Sequence, residues 1–277
     1  MANFIASPGD FLRGSIKVPG DKSISHRSIM LGSIANGVTN ISGFLEGEDS
    51  LATLNAFKDM GVKIEREGSN VVINGVGMNG LRPSLKPLNL GNSGTSIRLM
   101  TGLLSAQSFD STLCGDESLS KRPMARIIDP LSEMGALIKS SDSIPPLSIS
   151  GNQKLSALKY TLPVASAQIK SCLLLAGLYA DGETCIKENA TTRDHTERML
   201  KGFGYKVTSS SGQVSLTGGG QLQGCDIKVP SDISSAAFFI VAASIANNAD
   251  ITLEAVNINP TRTGVIEILK LMGANIE

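Results

Sequence analysis

Apolar and polar positions along this chain follow a block that recurs. A short strand pattern at 15–18, 88–90, 160–162 and 226–229 runs into a turn of small and polar residues. An apolar stretch of helical length follows each one, at 25–35, 95–105, 168–180 and 234–246. A second strand pattern comes next, for example at 184–187 and 250–253, and a polar loop leads to an amphipathic helix. In the first block Leu51, Leu54, Ala56, Phe57 and Met60 form the apolar face of that helix. The helix ends at a marker, Met60-Gly61, Met134-Gly135, Phe203-Gly204 and Met272-Gly273, with its glycines 74, 69 and 69 residues apart. Glycine at this place supplies the left-handed residue that caps a helix C-terminus. Two strands close the block, 62–64 with 71–73 and 206–208 with 214–217. The pattern predicts an α/β fold of repeated β-α-β-α-β-β units, about four of them in this chain.

The repeat is also visible in residue identity. Leu12-Arg-Gly-Ser-Ile-Lys-Val-Pro-Gly-Asp-Lys-Ser matches Leu222-Gln-Gly-Cys-Asp-Ile-Lys-Val-Pro-Ser-Asp-Ile-Ser with one inserted residue. The fourth unit has no room after Met272-Gly273-Ala-Asn-Ile-Glu277 for a closing strand pair. An unpaired sheet edge exposes backbone donors and acceptors. The expectation is therefore a truncated chain, or a partner chain that carries the remainder. The alternative is a degenerate end repeat that acts as a cap.

Composition narrows the class. The 277 residues suit two domains, and 41% hydrophobic against 18% charged residues is enough to fill a core. Aromatics make up 4% with no Trp, so small aliphatic side chains do the packing. Lys+Arg and Asp+Glu balance at 25 each, which leaves no electrostatic footprint for nucleic acid or anionic lipid. Cys114, Cys172, Cys185 and Cys225 show no metal-type spacing, and with His26 and His195 the sole histidines no metal site is expected. Each cysteine is expected to be a buried, reduced thiol. The longest apolar stretch, 236–245, is too short to span a bilayer, and no leader pattern opens the chain. A soluble, cytoplasmic protein is the expectation.

Three units place small or polar residues on the first turn of an apolar helix: Gly20-Asp-Lys22-Ser23, Gly91-Asn-Ser-Gly94-Thr95 and Ala165-Ser166-Ala-Gln168. Free N–H groups and the positive end of the helix dipole suit such turns to anions. Cations accompany them at Lys22, Arg27, Arg98, Lys121, Arg122, Arg193 and Arg262. In Lys22-Ser-Ile-Ser-His-Arg27 the lysine is expected on the turn and the arginine about one helical turn later, both within reach of one anion. By spacing alone these remain open between a site for a polyanionic substrate and solvated surface cations on ordinary capped turns.

The stretch Leu12-Arg-Gly-Ser-Ile-Lys-Val-Pro-Gly-Asp-Lys22-Ser23-Ile-Ser-His-Arg27 resembles the opening signature of the 5-enolpyruvylshikimate-3-phosphate (EPSP) synthases. Leu90-Gly-Asn-Ser-Gly94-Thr95-Ser-Ile-Arg98-Leu resembles their second signature. Ser120-Lys-Arg122-Pro-Met, Val164-Ala-Ser166-Ala-Gln168-Ile-Lys-Ser and Thr192-Arg193-Asp-His195-Thr-Glu follow in the family's order. The last of these looks like the bacterial branch associated with glyphosate tolerance. The resemblance runs over essentially the whole chain.

It implies an enolpyruvyl transferase-like fold with three units per domain and the substrates between two domains. The family's chain crosses over after its first strand. Residues 20–223 are thus expected to form one complete domain, and 1–19 with 224–277 an incomplete second one. It implies transfer of the enolpyruvyl group of phosphoenolpyruvate to the 5-hydroxyl of shikimate 3-phosphate, with no cofactor. Lys22 and Arg122 are then the catalytic cations. Lys22 contacts both substrates, Ser23 and Arg27 sit at the shikimate carboxylate, and Gly94, Thr95 and Arg122 hold phosphoenolpyruvate. Ser166, Ala167 through its backbone, Gln168 and Arg193 hold the shikimate phosphate and ring. Glyphosate takes the phosphoenolpyruvate position, with Gly94 expected to leave open space beside it. The family's proton-transfer Asp and Glu lie in its last third, and Asp232 aligns with the repeat instead. The 277-residue chain is therefore expected to bind substrate without turning it over, unless a complementary C-terminal chain joins it. The sister UDP-N-acetylglucosamine enolpyruvyl transferase fits less well. Its reactive cysteine stands five residues before the Arg-Pro pair, where this chain has Glu117, and Cys114 lies elsewhere.

Overall fold

The computed structural model describes Ile5 and residues 11–277. The chain divides into two compact units, one of Lys22–Val229 and one that joins the residues up to Asp21 with Pro230–Glu277. In chain order, β1 (Arg13–Ile16) comes first. A first module follows: α1 (Lys22–Ile34), β2 (Asn36–Ser42), α2 (Glu48–Asp59), β3 (Lys63–Glu67) and β4 (Asn70–Val76). The second is β5 (Leu88–Asn89), α3 (Gly94–Leu104), β6 (Ser111–Cys114), α4 (Ala125–Glu133), β7 (Ile138–Ser141) and β8 (Ile144–Ile149). The third is β9 (Lys159–Thr161), α5 (Ala167–Gly177), β10 (Glu183–Lys187), α6 (His195–Gly202), β11 (Thr208–Ser210) and β12 (Gln213–Thr217). Then come β13 (Asp226–Lys228), α7 (Ile233–Ile245), β14 (Asp250–Leu253) and α8 (Gly264–Leu271).

The larger unit carries three four-stranded sheets of one topology. Their orders are β13-β2-β4-β3, β5-β6-β8-β7 and β9-β10-β12-β11. In each, the first strand runs parallel to the second and the other two pairings are antiparallel. The repetition holds at atomic scale. A Cβ on Gly75 of β4 would lie 2.2 Å from the Ala35 carbonyl oxygen, and one on Gly218 just past β12 would lie 2.0 Å from that of Ala180. Only glycine lets the closing strand approach the end of the module's first helix so nearly. The marker glycines Gly61, Gly135, Gly204 and Gly273 have φ of +88°, +99°, +80° and +94°, each just beyond an amphipathic helix.

α1, α3 and α5 form the middle of the larger unit's core. Ten of the thirteen residues of α1 are buried, as are nine of eleven in α3 and ten of eleven in α5. The helix α1 starts at Lys22, three residues before the apolar pattern does, so Lys22 and Ser23 stand on its first turn and not in the preceding loop.

Two expectations are corrected. The strand at 226–229, counted with the incomplete second domain, pairs in parallel with β2 in the larger unit, Asp226 opposite Asn40. The strand near 15–18 comes first in the repeat pattern but is grouped with 224–277 by the expected crossover, and it pairs in parallel with β14, Arg13 opposite Asp250. Of the four cysteines, none disulfide-bonded, only Cys172 is fully buried; Cys114, Cys185 and Cys225 are partly exposed. Burial pushes the Cys172 thiol up to about 12, so it is protonated at neutral pH.

The smaller unit contains the two-stranded β1–β14 sheet, α7 and α8. The matched segments meet there. The Asp21 N–H donates to the Pro230 carbonyl at 2.8 Å, and the Asp232 N–H donates to the Pro19 carbonyl at 2.9 Å. Although α7 is apolar on all sides, only Ile233 and Ala236 are buried, and Phe238 and Ile245 lie about four-fifths exposed.

Candidate anion site at three helix N-termini

Within the larger unit the first turns of α1, α3 and α5 are joined by side chains. Gln168 Nε2 donates to Thr95 Oγ1 at 3.1 Å, which links α5 to α3. On α1 Ser23 Oγ accepts from Arg193 Nη1 at 3.4 Å, and Arg193 belongs to the connection just before α6. Between α1 and α3 runs a buried chain: His26 Nδ1 to Thr53 Oγ1 at 2.8 Å, Thr53 Oγ1 to Ser96 Oγ at 2.5 Å, and Ser96 Oγ to Ser93 Oγ at 2.6 Å. Ser93 also caps α3 by accepting the Ser96 N–H at 3.1 Å, and Ser166 caps α5 by accepting the Ile169 N–H at 3.4 Å. Those caps use one orphan donor each and leave the other first-turn N–H groups with no intrahelical partner.

The cations fall into two groups. Lys22 is half exposed and pairs with Asp49 of α2. Arg122 and Arg193 are half-buried, and Arg122 donates to Asn92 Oδ1 and to Ser118 Oγ at 3.3 Å. Arg27 differs, being 5% exposed. Its Nε donates to Thr196 Oγ1 at 2.6 Å, Nη1 to the Ser23 carbonyl at 2.9 Å and Nη2 to Ser171 Oγ at 2.7 Å. The spacing argument put Arg27 and Lys22 on one anion. In the fold three of its donors hold α1, α5 and α6 together, because a buried guanidinium needs partners for its donors.

Gly94 opens α3 beneath two guanidinium groups. A Cβ there would lie 2.8 Å from both Arg98 Nη1 and Arg122 Nη1, so the open space expected beside it is filled. Arg98 bonds the Gly94 carbonyl at 3.1 Å. Burial first, then repulsion from Arg122 and Arg126, lowers the Arg98 guanidinium from its ordinary value. An anion at the α3 N-terminus would relieve that repulsion.

Four residues to which the sequence assigned no part in the site stand in or behind it. Lys170 lies fully buried in α5, with Nζ 2.8 Å from Glu188 Oε2 and 2.6 Å from Glu197 Oε1. Burial raises the Glu197 carboxyl, with the Lys170 ammonium opposing. Its signal was a lone charge in an otherwise uncharged helix. His26 is the fourth. Burial pushes it down to about 3, with Lys22 and Arg27 adding to the shift, so it is neutral near pH 7. Among the described residues no cluster of three or more His, Cys, Asp or Glu is placed to hold a metal ion, and no helix is long and apolar enough to cross a membrane.

Comparison with known proteins places this arrangement. Residues 6–277 match the family model of EPSP synthase (3-phosphoshikimate 1-carboxyvinyltransferase). The chain belongs to the EPSP synthase family. It is 69% identical over 276 residues to the 3-phosphoshikimate 1-carboxyvinyltransferase of Ruthia magnifica subsp. Calyptogena magnifica, across 100% of this chain and 63% of that one. It is 60% identical over 276 residues to the enzyme of that name from Nitrosococcus oceani, across 99% of this chain and 62% of the relative. An EPSP synthase structure from Acinetobacter baumannii superposes with a TM-score of 0.90 at 61% identity, covering 95% of this chain and 60% of that one. The α/β fold is therefore that of EPSP synthases. The chain spans about 63% of the length of these curated relatives. Each such relative carries the counterpart of this chain and a further stretch in one polypeptide, which gives no support to a separate complementary chain.

Proposed function

We propose that this chain provides the shikimate 3-phosphate-binding part of an enolpyruvyl transferase acting in the cytoplasm. The reaction joins phosphoenolpyruvate to the 5-hydroxyl of shikimate 3-phosphate and releases phosphate. A proton adds to the vinyl methylene while the 5-oxygen bonds to the adjacent carbon and loses its own proton; the new methyl group then gives up a proton as the carbon–oxygen bond to phosphate breaks, which restores the double bond. Both substrates are polyanions. What the protein must supply is charge and fixed donors at the place where they meet.

The observation that carries this reading is the bond Thr95–Gln168 between the α3 and α5 N-termini, together with Ser23–Arg193 between the α1 N-terminus and the connection before α6, with Lys22 on α1 and Arg122 beside the α3 turn. Ser23, Ser166, the Ala167 backbone, Gln168 and Arg193 take the shikimate phosphate, ring and carboxylate. Gly94, Thr95 and Arg122 take phosphoenolpyruvate, and Lys22 touches both. Arg27 acts from behind, by fixing Ser23 and Thr196.

Calorimetric titration of the 277-residue chain with shikimate 3-phosphate tests this. Binding is expected, weakened about tenfold or more by Arg193→Ala and by Lys22→Ala, since charge-assisted bonds contribute about 1.5–3 kcal/mol each. Equal isotherms for wild type and both variants would remove the site. The chain's span of its relatives favours binding without turnover. No phosphate release from the substrate pair is expected, and release abolished by Lys22→Ala would show a complete catalytic apparatus.

A further inference from the structure

Lys170 stands one turn into α5, 1% exposed, and its ammonium bonds two carboxylates from different places in the chain. Glu188 follows directly on β10, and Glu197 is on the first turn of α6. One ammonium thus grips both ends of the connection that contains Arg193. Midway along it, the Thr192 hydroxyl donates to Glu188 Oε1, and Arg193 is the next residue. From the same helix, Ser171 bonds Thr196 at 2.7 Å, and Thr196 in turn accepts from Arg27. An apolar side chain at 170 would pack in this uncharged helix with no desolvation cost, so a buried ammonium makes sense only through its bonds.

We propose that Lys170 is a positioning residue: through Glu188, Thr192 and Glu197 it fixes the 188–197 connection and so sets the Arg193 guanidinium beside Ser23. The inference rests on the reading of Arg193 as an anion-binding residue. It assigns no substrate contact to Lys170 itself. The geometry fits that division, because the two carboxylates and the ammonium are all at most 5% exposed, whereas Arg193 is half-buried.

Two measurements on the 277-residue chain test it: amide exchange across 188–197 by mass spectrometry, and affinity for shikimate 3-phosphate by calorimetry. Thr192→Val removes one hydroxyl, and Glu188→Ala leaves Lys170 and Glu197 as a neutral pair. Both should speed exchange in 188–197 by about tenfold, while exchange in α3 stays at the wild-type rate. Both should also weaken shikimate 3-phosphate by about tenfold with Arg193 present, and by nothing further in an Arg193→Ala background. Lys170→Met leaves two buried carboxylates uncompensated; if it fails to fold, the two milder variants still decide. Wild-type exchange in both of them would overturn the proposal, as would additive losses in the Arg193→Ala background. Should Arg193→Ala bind as wild type does, the site reading fails instead, and loosened exchange confined to 188–197 would still support the hold of Lys170 on this connection.

Discussion

Gln168 and Thr95, 73 residues apart in sequence, form a 3.1 Å hydrogen bond that ties the first turn of α5 to the first turn of α3. Each side chain has an assigned ligand in the proposed site, Gln168 the shikimate moiety and Thr95 phosphoenolpyruvate, so the bond also couples the two subsites. Thr95→Val keeps the shape and removes the acceptor. It should cost about 1 kcal/mol in thermal or denaturant unfolding and weaken shikimate 3-phosphate as well, although residue 95 is assigned to the other substrate. Thr95→Ser should behave as wild type in both measurements. A Thr95→Val chain that binds shikimate 3-phosphate normally would show that the two turns act independently.

At Gly94 the neighbours are guanidinium groups, not empty space. A methyl 2.8 Å from Arg98 Nη1 and Arg122 Nη1 must push both aside, and both are ends of flexible side chains. Gly94→Ala should therefore fold, with a melting temperature close to wild type, and lose anion affinity at the α3 N-terminus. Glyphosate is longer than phosphoenolpyruvate and should lose more from a narrowed site. Competition titrations of both ligands check this, and equal losses would mean that residue 94 does not discriminate between them.

His26 gives an acid response of definite sign. Its folded value near 3 lies far below the ordinary 6.5, chiefly because burial disfavours the charged ring. Well above pH 6.5 the ring is neutral folded or unfolded and contributes no slope. As pH falls from 6.5 toward 3 the unfolded chain binds a proton that the folded one refuses, so stability drops by about 1.4 kcal/mol per pH unit from this group. In His26→Asn that contribution vanishes while the carboxylates still titrate alike in both proteins. Urea melts at pH 7 and about 4.5 should therefore show the variant losing less stability than wild type on acidification. Parallel losses would mean that His26 is protonated in the folded state.

Local signals were read well where physics is local. The marker glycines predicted left-handed caps, and Gly61, Gly135, Gly204 and Gly273 all have positive φ. Small and polar residues ahead of apolar stretches predicted helix starts, and α3 and α5 begin within one residue of the pattern. Side-chain partners were not legible. The spacing puts Arg27 within reach of an anion, but only the fold shows that three of its donors go to Ser23, Ser171 and Thr196, up to 169 residues away. Nothing near Lys170 in the sequence marks its partners, since one cation on a helix usually points to solvent, and only the packed fold brings two carboxylates to it.

The sequence by itself determined the elements, their order and the turns that carry the candidate chemistry, since periodicity, caps and glycine conformations act over a few residues. The residue pattern alone left undecided where two nearly identical strands would go. Ser15-Ile-Lys-Val-Pro and Asp226-Ile-Lys-Val-Pro each precede an apolar helix, and each pattern is a fair first strand for the module that follows it. The tertiary structure gives β13 to β2 of the first module and β1 to β14 of the smaller unit. Strand pairing is made by backbone N–H and C=O groups that every residue carries, so the pairing itself holds no code by which similar strands differ. The choice falls to packing between segments more than 180 residues apart, as in Asn40 donating to Asp226 at 2.8 Å and Ser15 donating to Glu254 at 2.5 Å.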